Sequence, residues 1–402
     1  MAAPRLCIGG ATSMHGHALM AVAGLGACVR GNGEDRVGPS MFCIARSACL
    51  ALFTLALLAA TPILAAEEAA PPFDDRSGAF LDRSTSQLRL RPHTLVLMRP
   101  PVAANPKKSF KLFYAFNFAN QPVGLDKCGL TRLPLLGPRS FFPDGKVLDR
   151  VDRTFADQQL PAIRKAFADA GSNPVVINIE GPWTIRRTDS SAVVAAKIDS
   201  HLDLAAYLRS RLGNKIRLGF YGEAPLKDYF SYQLDYFGNP FDPMYPEFVR
   251  APGLADAVNR QVVRLAASAD ALFPPYYTVW YDDMGRTDAQ RYQLTMQGWT
   301  TAAQESMKLA LAWKKPVYPF IWMQYHNKIN VPALANKFLA PGFFRYQLDT
   351  LRNLGADGVV IWGTLGPHGG REMFDRNADW WKDYLTFAKE NGVDLAACPH
   401  LP

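Results

Sequence analysis

The segment Pro174 to Trp183 holds the chain's most suggestive chemistry. Apolar residues run to Ile177, and then Asn178 and Glu180 follow two positions apart. In an extended strand alternate side chains share a face, so the two would project together. An acid at the end of a buried strand, in partly apolar surroundings, would keep its proton near neutral pH. It could then donate that proton to a leaving oxygen. A salt-bridged structural Glu is the plainer alternative for Glu180. Gly181 and Pro182 turn the chain directly afterwards.

Other strand ends carry compatible groups. Arg217 to Pro225 brings Tyr221 and Glu223, and Phe273 to Asp283 brings Tyr276, Tyr277, Asp282 and Asp283. Phe320 to His326 brings Trp322, Gln324 and Tyr325, and the run from Val359 ends on Trp362. Flat sugar faces stack on such rings, and aromatics make up 12% of the chain, so carbohydrate is the expected ligand class. An aromatic-rich core would use the same residues. Tyr221, Glu223, Tyr277, Trp322, Tyr325 and Trp362 are the candidate substrate contacts. Glu223 is also a candidate second carboxylate, whereas Asp282 and Asp283 read better as acids before a helix. His326 and His368 follow strand ends and could touch a substrate.

Several chemistries find no support. No HExxH, clustered Cys/His set or Ca-binding loop is present, so neither metal nor cofactor is expected. No Gly-x-Ser-x-Gly elbow occurs. No basic run interleaved with aromatics points to nucleic acid. The formal charge is +8; residues 1–65 carry four Arg and two acids, so +6 remains beyond them. That mild excess suits an acidic polymer among other surfaces.

These side chains need a scaffold. Candidate strands are His93–Met98, Lys111–Phe118, Pro174–Ile179, Lys215–Tyr221, Ala271–Val279, Val317–Met323 and Gly358–Trp362. Helical periodicity marks Arg153–Ala170, Ser190–Leu212, Pro252–Ala267, Thr287–Trp313, Phe343–Leu354 and Asn377–Asn391. Short apolar strands alternating with helices predict an α/β fold with a parallel sheet covered on both faces. The missing Gly-rich phosphate loop favours a (β/α) TIM-type barrel over an open sheet. Six clear strand units and a weak first one suggest an irregular barrel with seven strands. Its site would lie at the carboxyl ends of the strands.

The N-terminal part reads differently. Residues 41–65 run from Arg46 through the apolar Ala48–Ala60 to small residues, the order of a cleaved signal peptide. Residues 1–40 then read as a non-native extension, 66–92 as a loose leader, and 93–402 as a single barrel domain. The chain is thus expected to be secreted or periplasmic, with no stable membrane span in its mature part. Cys128 and Cys398 lie beyond this region and could form a disulfide or remain two buried thiols.

The ordered motifs resemble the hyaluronidase family of glycoside hydrolases. Asn178-Ile179-Glu180 stands where that family has Asp-x-Glu, and Phe220-Tyr221-Gly222 is similar to its Phe/Tyr-Tyr-Gly. The run Leu272 to Tyr277 resembles its Leu-Tyr-Pro-x-x-Tyr, and Gly355 to Trp362 its Gly-rich turn into a β-branched strand ending in Trp. The order holds from about residue 111 to 363. Asn replaces the family's Asp, Gly181-Pro182-Trp183 replaces its Trp and Arg, and its cysteine framework is absent. Asn-x-Glu also resembles the endo-β-N-acetylglucosaminidases that cut within N-glycan cores. The hyaluronidase resemblance implies an irregular seven-stranded barrel, and both resemblances imply a retaining, substrate-assisted reaction on an N-acetylhexosamine glycan. Glu180 would then be the acid/base and Asn178 the group that holds the acetamido arm, steadied by Tyr221 or Tyr277. Two alternatives stand beside this: a two-carboxylate glycosidase using Glu180 with Glu223, and a non-catalytic glycan-binding barrel of the cell envelope.

Overall fold

Strands that are apolar on both faces must be covered on both faces, and parallel pairing with crossover helices provides that cover. The computed structural model describes residues 109–186, 189–226, 252–281, 287–363 and 370–402. Here β1 (Lys111–Tyr114) pairs in parallel with β2 (Thr131–Arg132) on one side and β7 (Gly358–Trp362) on the other. Strand β7 pairs in turn with β6 (Phe320–Trp322). A second parallel set runs β3 (Leu135–Leu136), β4 (Val175–Ile177), β5 (Leu218–Phe220).

Two joints close these sets into one ring. Strands β2 and β3 are halves of a single run, 131–136, broken at Pro134, which has no N–H to give the ladder. Across the break Leu133 N still donates to Tyr114 O, and Pro134 O accepts from Val176 N. On the far side the run 271–278 inserts between β5 and β6. Phe273 bridges Tyr221, Leu272 bridges Val317, Pro275 bridges Phe320 and Thr278 bridges Tyr325, all in parallel. Pro274 and Pro275 keep this run from forming a continuous ladder. Gly219 admits it: a Cβ there would lie 2.3 Å from Ala271 O. The result is a closed parallel barrel of seven staves among the described residues.

Among the described residues the seven staves include six of the expected strands and the run 131–136. The run 131–136 was not foreseen, because its two-residue pieces flank a proline. The expected strand at 93–98 and the segments assigned to 1–40, 41–65 and 66–92 lie outside the described residues. The hydrogen-bonded strands are also shorter than expected; the first, for example, ends at Tyr114 rather than Phe118.

The helices follow the sequence pattern closely. They are α1 (Arg153–Ala170), α2 (Ser191–Leu212), α3 (Pro252–Ser268), α4 (Asp288–Ala312), α5 (Phe343–Asn353) and α6 (Asp379–Glu390). Three of them start on a side-chain cap. Asp152 accepts from Phe155 N, Ser190 from Val193 N, and Thr287 with Gln290 forms a capping box. The α5 face that holds Phe343, Phe344, Leu348 and Leu351 is buried, as are Trp380, Trp381 and Tyr384 of α6. Cys128 and Cys398 are joined in a disulfide, which decides between the two alternatives for them. Among the described residues no helix is long and apolar enough to cross a membrane.

Candidate active site at the carboxyl ends of the strands

Strand β4 delivers the Asn–Glu pair. Asn178 N still bonds Leu136 O, so the extended run continues one residue past the named strand. Ile177 and Ile179 are buried, while Asn178 is half-buried and Glu180 exposed on the alternate positions. Asn178 Oδ1 is buried and has no hydrogen-bond partner among the described residues. A buried carbonyl oxygen without a donor is costly and uncommon, so it marks a place where a ligand N–H could bind. Glu180 is not enclosed by apolar groups as expected. The turn at Gly181 (φ 90°) begins beside it and carries it to the rim.

That turn is anchored from several sides. Thr184 N donates to Gly181 O at 3.1 Å. Trp183 is buried, donates through Nε1 to Leu148 O at 2.7 Å, and packs edge-on against Phe142 and His201. It is therefore a foundation rather than a sugar platform. Lys197 Nζ of α2 donates to Thr184 O and pairs with Asp189, each at 2.7 Å. Burial drives the pKa of His201, beneath Trp183, down to about 4. Its Nδ1 lies 2.9 Å from Lys197 O, which suits the neutral ring donating there.

Glu223 lies at the end of β5 but does not stand open at the mouth. It is 2% exposed, and its Oε2 accepts the N–H of Ile185 at 3.0 Å. Next to it the aromatic candidates form a wall. Tyr277 stacks on Trp362 at 5.6 Å and meets Trp322 edge-on at 5.6 Å. Trp322 and Trp362 contact edge-to-face at 4.7 Å, and Tyr221 faces Tyr277 at 6.5 Å. Gly363 makes this possible, since a Cβ there would lie 2.1 Å from Trp322 Nε1. That same Nε1 donates to Gln324 Oε1 at 2.8 Å.

The structure brings Tyr221, Tyr277, Trp322 and Trp362 together and adds His326, whose ring stacks on Tyr277 at 5.9 Å. Lys328 N donates to His326 Nδ1, which fixes the ring proton on Nε2 when the ring is neutral. Trp322, Gln324 and His326 alternate along one run, and that spacing was the available sign for His326. Tyr325, between them, packs edge-on against Tyr281 and is held apart from the wall. Its burial raises its pKa. Tyr276 likewise turns away from the wall and donates to Ser306 of α4 at 2.9 Å. Asp282, Asp283 and His368 lie outside the described residues. Among the described residues no group of His, Cys, Asp and Glu could hold a metal ion. Beside the acid's turn a cleft of about 680 Å³ opens, lined by Arg150, Pro182, Trp183, Lys197, Asp199 and Asp203. It does not reach Asn178 or Glu180.

No protein-family model matches the chain, and no curated protein matches it. Among solved structures it is distantly similar to bee venom hyaluronidase, at 15% identity and a TM-score of 0.40, over 71% of this chain and 98% of that one. The same enzyme in complex with a hyaluronic acid tetramer gives 16% identity and a TM-score of 0.41, over 71% and 97%. A modular endo-β-1,4-mannanase from Cellulomonas fimi, of glycoside hydrolase family 26, gives 12% and 0.35, over 76% and 77%. What reaction the barrel supports has to be argued from its own side chains.

Proposed function

We propose that this chain is an exported glycoside hydrolase that cleaves an N-acetylhexosamine-containing glycan with retention, using the substrate's own acetamido oxygen as nucleophile. The observation that carries this reading is the buried Asn178 Oδ1, an acceptor without a donor among the described residues, two residues before the exposed Glu180. An acetamido group offers the missing N–H. Accepting it would orient the acetamido oxygen toward the anomeric carbon and raise its electron density. Glu180 would protonate the leaving oxygen as its bond to the anomeric carbon breaks, while the acetamido oxygen attacks that carbon and closes an oxazoline-type ring. Water then opens the ring, and Glu180 takes the proton back. The half-buried Trp362 would offer its ring to the reacting sugar, backed by the buried Tyr221, Tyr277 and Trp322.

The two-carboxylate alternative requires Glu223 as nucleophile. Its burial and its hydrogen bond to Ile185 N disfavour that role, because a hydrogen-bonded carboxylate oxygen is a poorer nucleophile. Export is supported by the charge–apolar–small order of residues 41–65 and by a disulfide of the kind that persists outside the reducing cytosol. The test uses the full chain and its Glu180→Gln variant on hyaluronan, chitooligosaccharides, peptidoglycan fragments and high-mannose N-glycans. The expected result is cleavage of at least one by the wild type, reduced roughly a thousandfold in the variant. A folded wild type that binds these sugars and cleaves none faster than the variant would make the chain a glycan-binding barrel instead.

A further inference from the structure

The turn that follows Glu180 has little stiffness of its own. Among the described residues Thr184 N to Gly181 O closes the turn, and beyond it Arg186 N donates to Asp189 Oδ2 at 2.8 Å while Asp189 N donates to Arg186 O. Gly181 sits at φ 90° with no atom within 4 Å of where a Cβ would stand. Trp183 and Lys197 tie the turn outward, to Leu148 and to α2. The inward tie comes from the neighbouring strand: Glu223 Oε2, 38 residues away, accepts Ile185 N at 3.0 Å in a buried setting. A buried carboxylate is costly to desolvate, and a neutral amide could satisfy the same N–H. At 3.0 Å the bond has the length of an ordinary N–H···O hydrogen bond.

We propose that Glu223 is a positioning residue, whose carboxylate fixes the turn after Glu180 and so sets where the acid stands relative to Asn178. This rests on the reading of Glu180 as acid/base. It assigns Glu223 a role distinct from nucleophile and from sugar contact. Displacing a reacting group by about 1 Å commonly costs on the order of a hundredfold in rate. The loss should therefore fall on kcat and spare KM, because no bond to substrate is removed.

The experiment compares Glu223→Gln and Glu223→Ala in the full chain. Hyaluronan and chitooligosaccharides serve as probes, and hydrogen exchange of the 180–186 backbone is followed in parallel. Glu223→Ala should lower kcat by about a hundredfold with KM within about threefold. Glu223→Gln, which keeps an acceptor for Ile185 N, should recover all but about fivefold of that rate with an unchanged pH profile. Exchange at 181–186 should quicken in the Ala variant and not in the Gln variant, while 131–136 stays as in the wild type. Equal inactivity of both variants, with azide restoring turnover to the Ala variant, would overturn the proposal in favour of a nucleophile. Unchanged exchange at 181–186 in the Ala variant would overturn it as well. If the wild type cleaves neither these probes nor the peptidoglycan fragments and N-glycans, the catalytic reading fails on its own, and the exchange comparison still decides whether Glu223 holds the turn.

Discussion

Asn178 bears the most weight because its amide oxygen is buried without a donor among the described residues, while the residue as a whole is half-buried. If that oxygen receives the substrate's N–H, Asn178→Ala should lower kcat/KM by roughly a hundredfold, the scale seen when one oriented hydrogen-bonding group is removed from a reacting centre. Asn178→Asp should keep most of the activity, since an ionised carboxylate also accepts and in addition stabilises the developing positive charge. Steady-state rates on the cleaved glycan check both, and an Asn178→Ala variant with wild-type kinetics would sink the role. His201 makes a separate prediction, on stability. Burial holds its folded pKa near 4, below the ordinary 6.5. Between those values the unfolded chain binds a proton that the folded chain excludes, so stability rises with pH there. It should fall by about 3 kcal/mol as pH drops from 6.5 through 4, with no contribution from this group above 6.5. Denaturant unfolding across that range tests it; His201→Phe, which cannot titrate, should flatten the slope.

The elements show what a sequence reveals and why the rest stays hidden. The six helices among the described residues were legible from apolar residues at helical spacing, and in three of them a capping Asp152, Ser190 or Thr287 marked the start. Strand β4 was legible for a similar reason, with an unbroken apolar run that ends on polar groups. The stave 131–136 was not, because Pro134 splits it and its partners, Tyr114 and Val176, are remote in sequence. At the site, alternation indicated that Asn178 and Glu180 share a face but could not show that Glu223 turns inward to Ile185. Which side chains line the wall and which lie behind it depended on packing that local pattern does not encode. Trp322 and His326 entered the wall, whereas Tyr325 did not. Ring closure depends on a similarly long-range contact at Gly219, where any Cβ meets Ala271 O. Gly219→Ala should cost about 2 kcal/mol by forcing the 271–278 run off β5. Its melting temperature should fall by about 5 °C, and an unshifted melt would show that the joint can give way freely.

At the scale of the whole chain, the disulfide links the loop after β1 to the C-terminal segment across a sequence separation of 270 residues. Both cysteines are buried, and Tyr384 of α6 donates to Cys128 O at 2.7 Å. The bond therefore clasps the first and last parts of the barrel where β1 and β7 already pair. A cross-link restricts the unfolded chain, and the restriction grows with the loop it closes. On the chain-entropy account a loop of this length contributes roughly 5 kcal/mol. Because β1 and β7 neighbour each other in the ring, loosening this clasp should open the barrel at that seam first. The Cys128→Ser, Cys398→Ser double variant should accordingly melt about 10 °C below the wild type. Its hydrogen exchange should quicken in 111–136 and 358–398 before it does in β4 and β5. The remote seam also predicts that kcat at Glu180 stays within about twofold at temperatures where the variant remains folded. A uniform rise in exchange over all seven staves would mean that the ring opens as a single unit, with the disulfide setting its stability but not the place where it parts.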